Sequence, residues 1–182
     1  MMQAADVLAV LAALDAAGVP VWLDGGWGVD ALVGRQTRPH SDLDLVSALD
    51  QADRAVDAFA PLGFAVAEDA WPTRLVLRDG AGRQIDCHTV TFDAAGGGVQ
   101  ALPDAPAFRY PPEGFRGTGT VAGQPVACLN AEVQVLCHLG YPPDADDYHD
   151  MRLLHECCGV ALPAPYSDDA ATPAADGPAP RG

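Results

Sequence analysis

The alternation of acidic and apolar residues in Asp42-Leu43-Asp44-Leu45 most constrains how this chain can fold. Successive side chains of a β-strand point to opposite faces, so both aspartates face one side and both leucines the other. The leucines predict a strand packed on a core. Two carboxylates side by side repel each other, and a divalent cation such as Mg²⁺ would remove that cost. The tract therefore predicts a strand with a metal site, and an exposed strand kept soluble by two acids is the alternative.

A glycine-rich turn precedes this strand. Val21-Trp22-Leu23 is typical of a short buried strand, Gly25-Gly26-Trp27-Gly28 follows it, and a helix is predicted over 27–33. Glycines allow a ligand to approach the backbone closely, and the N–H groups at the start of a helix favour phosphate. The pattern predicts a phosphate-binding turn, with an ordinary turn as the alternative.

A third acidic tract is Gln84-Ile85-Asp86-Cys87-His88. Strand alternation places Ile85 and Cys87 inward and Asp86 and His88 on the opposite face. Asp86 could be a third metal ligand or a base, and the pKa range of histidine suits proton transfer from a hydroxyl group. An ordinary amphipathic strand is the alternative. Together, the three tracts provide what phosphoryl transfer requires.

Hydrophobic periodicity and turn residues predict the remaining elements. We expect one domain over 1–160, with a C-terminal helical part at about 130–158 and a disordered tail over 161–182. Predicted helices cover 3–17, 51–60 (capped by Asp50), 130–139 (capped by Asn130) and 145–157. Predicted strands cover 43–46, 64–66, 74–77 and 84–92, with a hairpin near 121–129 and a long surface loop over 93–114.

Net charge indicates which ligands the chain favours, and hydropathy indicates its location in the cell. The chain has 25 acidic and 10 basic residues and a net charge of −15, which disfavours nucleic acid and favours cationic ligands. No apolar run is long enough to cross a membrane, and the first residues lack the basic segment of a signal peptide. We therefore expect a cytoplasmic protein.

The glycine and aspartate tracts resemble those of a known group of enzymes. The stretch from Val21 to Leu32, continued by Gln36-Thr37-Arg38-Pro39-His40 and Asp42-Leu43-Asp44, closely resembles the lincosamide nucleotidyltransferases. It is also similar to the aminoglycoside nucleotidyltransferases of the same superfamily, whose pattern is Gly-Gly followed after a spacer by Asp-hydrophobic-Asp. Weaker likeness extends the resemblance over about 5–155, at Trp71-Pro72-Thr73-Arg74, Asp86-Cys87-His88, 130–141 and Asp147-Tyr148-His149-Asp150.

The resemblance implies an α+β nucleotidyltransferase fold, with a small mixed β-sheet flanked by helices and further C-terminal helices. It implies Mg²⁺ and an NTP co-substrate, with ATP favoured. Asp86 and His88 compete for the role of base, and Trp27 stands where many superfamily members have Ser. The implied metal ligands are Asp42 and Asp44, and Asp86 is the candidate third ligand from strand alternation. The implied nucleotide-binding residues are Gly25, Gly26, Trp27, Arg38, His40 and Arg74.

The implied reaction is transfer of a nucleoside monophosphate to a hydroxyl of a lincosamide- or aminoglycoside-like molecule. Two other functions stay open at this point: nucleotidyl transfer to a protein, as in toxin–antitoxin pairs, and non-catalytic binding of a nucleotide or small amine. The resemblance also makes a homodimer a candidate oligomeric state. Acceptor choice is expected to depend on the 93–114 segment and the C-terminal helices.

Overall fold

The computed structural model describes residues 1–167. The described helices are α1 (Ala4–Ala16), α2 (Gly25–Val33), α3 (Ala52–Phe59), α4 (Ala131–Cys137) and α5 (Ala145–Cys158). The described strands are β1 (Val21–Asp24), β2 (Asp42–Ala48), β3 (Ala65–Ala70), β4 (Arg74–Arg78), β5 (Gln84–Phe92), β6 (Gly98–Gln100), β7 (Phe108–Tyr110), β8 (Gly117–Val121) and β9 (Gln124–Cys128).

Seven of the strands follow one path across a mixed sheet, in the order β3-β4-β5-β2-β1-β9-β8. β2 is parallel to β5 and β1 is parallel to β9, whereas the other neighbours on this path are antiparallel. β6 extends from β5, and β7 pairs with β6. The predicted α+β class with a mixed sheet flanked by helices is confirmed.

One face of this sheet packs against α1 and α3. The core there contains Leu43 and Leu45 of β2 together with Ile85 and Cys87 of β5, all of them buried. The alternation that the sequence predicted for both strands is confirmed. The acidic side chains of β2 and β5 therefore lie on the opposite face of the sheet.

Helix α2 begins at Gly25, two residues earlier than predicted. Asp24 is its N-cap, and its side chain accepts a hydrogen bond from the Gly25 N–H. Gly34 ends the helix in the left-handed conformation. Both glycines of the Gly25-Gly26 pair thus belong to the first helical turn, which places the positive end of the helix beside β2.

The prediction of a long surface loop over 93–114 is wrong. The segment contains β6 and β7 and the start of a 3₁₀ turn, Pro112–Arg116. β6 pairs with the end of β5, where Phe92 is opposite Gly98. A three-residue strand among glycines and prolines leaves little local periodicity, and its pairing partner is supplied by tertiary structure.

The two predicted helix caps have different outcomes. Asn130 accepts a hydrogen bond from the Val133 N–H and caps α4, as predicted. The Asp50 cap is wrong, because Asp50 lies within a 3₁₀ turn, Leu49–Gln51, and α3 starts after Gln51 without a side-chain cap.

The predicted tail, 161–182, overlaps the described residues only at its beginning. Within 161–167, Tyr166 is buried and packs with Val160 and residues of α5. The rest of the predicted tail lies outside the described residues. A search of the described helices finds none with the length and apolar character needed to cross a membrane.

Candidate active site

Three aspartates form a row across the acidic face of the sheet. Asp24 of β1 is paired with Asp44 of β2, and Asp44 is paired with Asp86 of β5. Residues directly opposite each other on neighbouring strands point to the same face. The sequence singled out Asp44 and Asp86, but the position of Asp24 beside them depends on strand order.

Asp44, Asp86 and His88 form a group able to hold a metal ion. One ligand atom from each lies within 4.8 Å of the others. The Oδ1 atom of Asp86 is buried and has no hydrogen-bond partner among residues 1–167, so the site fits a cation. Asp42 lies on the same face and lines the same cleft, but is not part of this group.

Burial and mutual repulsion perturb these carboxyl groups. Burial raises the pKa of Asp24, Asp42 and Asp86 above the usual value of 3.8, and the charge of Asp44 raises all three further. His88 and Arg74 partly offset this effect at Asp86. Such an arrangement is costly in a protein without a bound cation, which supports a functional role for the row.

His88 lies between Asp44 and a buried hydrogen-bond chain. Burial lowers the pKa of the ring, but the interaction with Asp44 and the charges of nearby aspartates outweigh burial and raise the pKa to about 9. Nε2 of His88 is 3.6 Å from Oδ1 of Asp44. Nδ1 is 3.2 Å from Nε2 of Gln100, whose Oε1 accepts a hydrogen bond from the Tyr110 hydroxyl.

The glycine pair makes room for side chains at the start of α2. Gly25 has φ = +56°, and a Cβ there would overlap the carboxylate of Asp44. A Cβ at Gly26 would overlap the ring of His40 and lie 2.7 Å from an Nη atom of Arg38. Both glycines line the cleft, and their immediate effect is to bring these side chains close to the helix N-terminus.

Trp27 and His40 pack against each other, and of these two residues only His40 lines the cleft. Trp27 is buried and does not line the cleft, and its ring centroid is 4.7 Å from that of His40. His40 is also buried and lies 2.5 Å from Asp30, which in turn accepts hydrogen bonds from Thr37. The predicted nucleotide-binding residue Trp27 therefore lies behind the Gly25-Gly26 turn, with its side chain outside the cleft.

The two arginines predicted to bind phosphate both have carboxylate partners. Arg38 lines the cleft and donates hydrogen bonds through Nε and Nη2 to Asp150, at 3.0 and 2.7 Å, and through Nη1 to Asp146 at 3.1 Å. Arg74 lies outside the lining residues and donates to Asp86 at 3.1 Å. Arg74 thus contacts the acidic row, whereas Arg38 borders the cleft.

The cleft has a volume of about 490 Å³ and extends from the acidic row to the C-terminal helices. One end contains Asp24, Asp42, Asp44 and His88. The other walls come from the segment predicted as a loop and from the residues around α4 and α5. These walls are lined by Gln100, Leu102, Phe108, Tyr110, Cys137, His138, Tyr141, Asp144, Asp146 and Asp147.

Sequence reasoning missed Asp24, Gln100 and His138 as cleft residues. Asp24 adjoins the glycine pair, so its nearness to the site could have been inferred. Gln100 and His138 carry no local pattern that distinguishes them, and only the fold brings them to the cleft.

Comparison with known proteins gives a consistent result. The family model for aminoglycoside-2''-adenylyltransferase matches residues 6–154. The chain is 29% identical over 136 residues to a lincosamide resistance protein of Staphylococcus haemolyticus, covering 75% of this chain and 84% of that protein. It is 29% identical over 133 residues to a 2''-aminoglycoside nucleotidyltransferase of Klebsiella pneumoniae, covering 72% of this chain and 70% of that protein.

Solved structures agree with these relatives. The lincomycin-bound lincosamide antibiotic adenylyltransferase LnuA superimposes with a TM-score of 0.74 at 26% identity, covering 83% of this chain and 95% of the other. ANT(2'')-Ia in complex with adenylyl-2''-tobramycin has a TM-score of 0.68 at 24% identity, covering 87% and 91%, which shows a shared fold. The resemblance inferred from the glycine and aspartate tracts is confirmed.

Proposed function

This chain belongs to the aminoglycoside-2''-adenylyltransferase family, and from that premise we propose that it transfers AMP from ATP to a hydroxyl of a lincosamide- or aminoglycoside-like antibiotic. The proposed reaction depends on Mg²⁺ and releases pyrophosphate. The observation that carries the proposal is the row of aspartates beside the N-terminus of α2, where Asp86 has a buried carboxylate oxygen without a partner.

Asp42, Asp44 and Asp86 are the proposed metal ligands. When bound, Mg²⁺ would neutralise charge on the triphosphate and on the carboxylates. The first turn of α2 offers the Gly26 N–H and a positive dipole end to the phosphates, while the Gly25 N–H donates to Asp24. These parts belong to neighbouring strands and one helix, so packing holds them in place.

Arg38 is the proposed phosphate contact. Asp150 holds two of its nitrogens, whereas Nη1 shares an exposed partner, Asp146, at the edge of the cleft. A phosphate oxygen can replace that exposed carboxylate at little cost, because surface ion pairs contribute little. His40 acts in this proposal by supporting Gly26, and Arg74 by holding Asp86.

Asp86 is the proposed proton acceptor for the antibiotic hydroxyl. Burial raises its pKa, which makes the carboxylate a better base than an exposed aspartate. The hydroxyl oxygen forms a bond to the α-phosphorus, the bond from that phosphorus to the bridging oxygen breaks, and pyrophosphate departs with the bonding electrons. The proton of the antibiotic hydroxyl passes to the carboxylate of Asp86.

The cleft supports a small cationic acceptor. Its volume of about 490 Å³ is that of a small-molecule site, and six aspartates line it. A protonated amine would be attracted by this field, as the net charge of −15 also indicates. A cytoplasmic location and a homodimer stay predictions, and analytical ultracentrifugation would test the dimer.

A turnover assay tests the proposal. Purified protein is incubated with Mg²⁺, each NTP and either lincomycin or tobramycin, and product mass and pyrophosphate are measured. Asp44→Asn should lower kcat/KM by at least about a hundredfold, because it removes a charge from the metal site. Asp57→Asn, an exposed change on α3 across the sheet from the cleft, is the matched control and should retain activity.

An AMP adduct on either drug, lost in Asp44→Asn alone, is the expected result. Binding of ATP and Mg²⁺ without turnover of any drug would overturn the antibiotic acceptor. In that case an adduct on a protein would indicate a protein acceptor, and ligand binding without any adduct would indicate a non-catalytic protein.

A further inference from the structure

His138 lines the cleft and has a fixed ring orientation. Its Nδ1 lies 2.7 Å from the carbonyl oxygen of Gln134. A carbonyl oxygen can only accept, so Nδ1 carries a proton and Nε2 holds the lone pair in the neutral ring. The residue follows directly after α4, and its own carbonyl accepts a hydrogen bond from the Tyr166 hydroxyl at 2.8 Å.

Gln134 is itself immobilised. Its side chain is completely buried and contacts the carbonyl of Leu23 in β1, at 3.4 Å. Because Gly28 of α2 has no Cβ, the Gln134 amide can pack against that helix. The backbone that orients His138 is therefore tied to the same strand and helix that form the phosphate-binding turn.

Nε2 of His138 lacks a hydrogen-bond partner among the described residues. Oδ1 of Asp147 lies 3.9 Å away, which is beyond hydrogen-bonding distance. The His138 side chain is only 9% exposed, yet the residue lines the cleft. Nε2 is therefore unpaired within residues 1–167 but not fully buried, and a donor from water or from a ligand in the cleft can reach its lone pair.

Asp147 is held beside this imidazole. Its Oδ1 accepts a hydrogen bond from the Tyr141 hydroxyl, and its Oδ2 accepts one from the Asp144 N–H. The carboxylate therefore stays near Nε2, where it adds negative charge without consuming the lone pair. A positively charged N–H donor complements both groups, because it donates to the Nε2 lone pair of His138 and is attracted by the Asp147 carboxylate.

His88, a second imidazole that lines the cleft, offers no such lone pair. Nε2 of Gln100 donates to the Thr73 carbonyl and lies 3.2 Å from Nδ1 of His88, and Oε1 of Gln100 accepts a hydrogen bond from Tyr110. In the charged ring both nitrogens carry protons, and Nε2 directs its proton towards Asp44. His88 thus supports the acidic row.

His40 is a third imidazole that lines the cleft. It contacts Asp30 through Nε2. Its Nδ1 lies beside Gly26 and Arg38, at the side of the cleft proposed to bind phosphate.

We propose that His138 is an acceptor-binding residue, whose Nε2 accepts a hydrogen bond from an ammonium group of the antibiotic beside Asp147. This inference rests on the proposed function, because it names the acceptor-side contact of the same cleft. It assigns the residues that follow α4 to acceptor recognition and leaves nucleotide binding to α2 and the aspartate row.

Two variants of His138 distinguish the contribution of Nε2, which has no partner among the described residues, from that of Nδ1, which contacts the Gln134 carbonyl. His138→Asn keeps a donor near the position of Nδ1, so the contact with Gln134 survives, but it removes Nε2. His138→Gln places its amide near the position of Nε2 and restores part of the contact. We expect His138→Asn to raise the Kd of the drug about ten- to a hundredfold, the range for a hydrogen bond to a charged group.

Calorimetry with tobramycin and with lincomycin, in EDTA and without nucleotide, measures this Kd independently of turnover. His138→Asn should bind the drug more weakly than His138→Gln, and His138→Gln should bind it more weakly than the wild type. The KM for ATP in the loaded enzyme should change less than about twofold. Circular dichroism checks that each variant folds. In the wild type, long-range ¹H–¹⁵N spectra should show a lone pair on Nε2 of His138 whose shift moves when tobramycin binds.

An unchanged drug Kd in folded His138→Asn, or a proton on Nε2 of the neutral ring, would overturn the inference and leave the proposed function standing. An unmoved Nε2 signal on saturation with drug would do the same, even if the variants fail to fold. If the wild type neither binds nor modifies either drug, the proposed function fails and this inference fails with it.

Discussion

At the scale of single residues, Gly25 decides how closely the acidic face of the sheet can approach α2. Its backbone has φ = +56°, which strains any residue with a Cβ, and the missing Cβ leaves the space occupied by the Asp44 carboxylate. The glycine therefore has two separate effects, one on backbone energy and one on the position of a proposed metal ligand.

Gly25→Ala should lower both stability and activity. Left-handed backbone strain should reduce the free energy of unfolding by about 1–2 kcal/mol, and displacement of Asp44 should reduce kcat/KM at least about tenfold. Gly63→Ala is the matched control, because Gly63 also has positive φ but its Cβ would meet nothing within 4 Å.

Urea unfolding and the turnover assay measure the two effects of these glycine changes. If both variants lose similar stability but only Gly25→Ala loses activity, the result supports steric displacement of Asp44 as the cause. Full activity of Gly25→Ala would contradict it.

At the scale of elements, α5 is joined to the segment between α2 and β2 by a buried ion pair. Arg38 gives two nitrogens to Asp150, which is only 1% exposed, whereas Asp146 one turn earlier is 63% exposed. A buried carboxylate paired with two nitrogens in a fork geometry fixes orientation as well as distance. The helix thereby sets the position of an arginine at the edge of the cleft.

Asp150→Ala should destabilise the fold by about 3 kcal/mol, because it leaves a mostly buried guanidinium without its partner. Asp146→Ala should cost less than about 1 kcal/mol, since exposed ion pairs are weak. Urea unfolding in EDTA compares the two variants without the influence of a bound metal. If the two variants lost the same free energy of unfolding, burial of the Arg38–Asp150 pair would not explain its contribution to stability.

At the scale of the whole molecule, negative charge accumulates around one cleft of a chain with net charge −15. The pKa of His88 rises to about 9 in the folded state, compared with 6.5 in the unfolded chain. The folded protein therefore binds more protons than the unfolded chain between these values. The resulting stability is fully present below pH 6.5 and is lost as the pH rises through 9.

The urea midpoint of the metal-free protein should fall between pH 6.5 and 9, which corresponds to a loss of about 3 kcal/mol from His88. The raised pKa values of the buried cysteines act in the same direction near the upper limit. Asp44→Asn should flatten the dependence, because Asp44 contributes most to raising the pKa of His88. A midpoint independent of pH in the wild type would contradict this prediction.

Long and strongly patterned elements were predictable from the sequence. β2, β5, α1 and α5 follow their periodicities closely, and the Asn130 cap depends on one side chain and its own helix. The segment over 93–114 was not predictable, because β6 and β7 are too short to show alternation. Asp50 failed as a cap because a 3₁₀ turn displaced the start of α3.

The sequence by itself determined which side chains share a face, because alternation along a strand is a local property of the backbone. This local rule put Asp42 with Asp44 and Asp86 with His88. Tertiary structure decided which strands are neighbours, and so placed Asp24 in the same row. It also left one nitrogen of His138 facing the cleft. The pairing of β1, β2 and β5 joins residues far apart in the chain, and no local pattern encodes it.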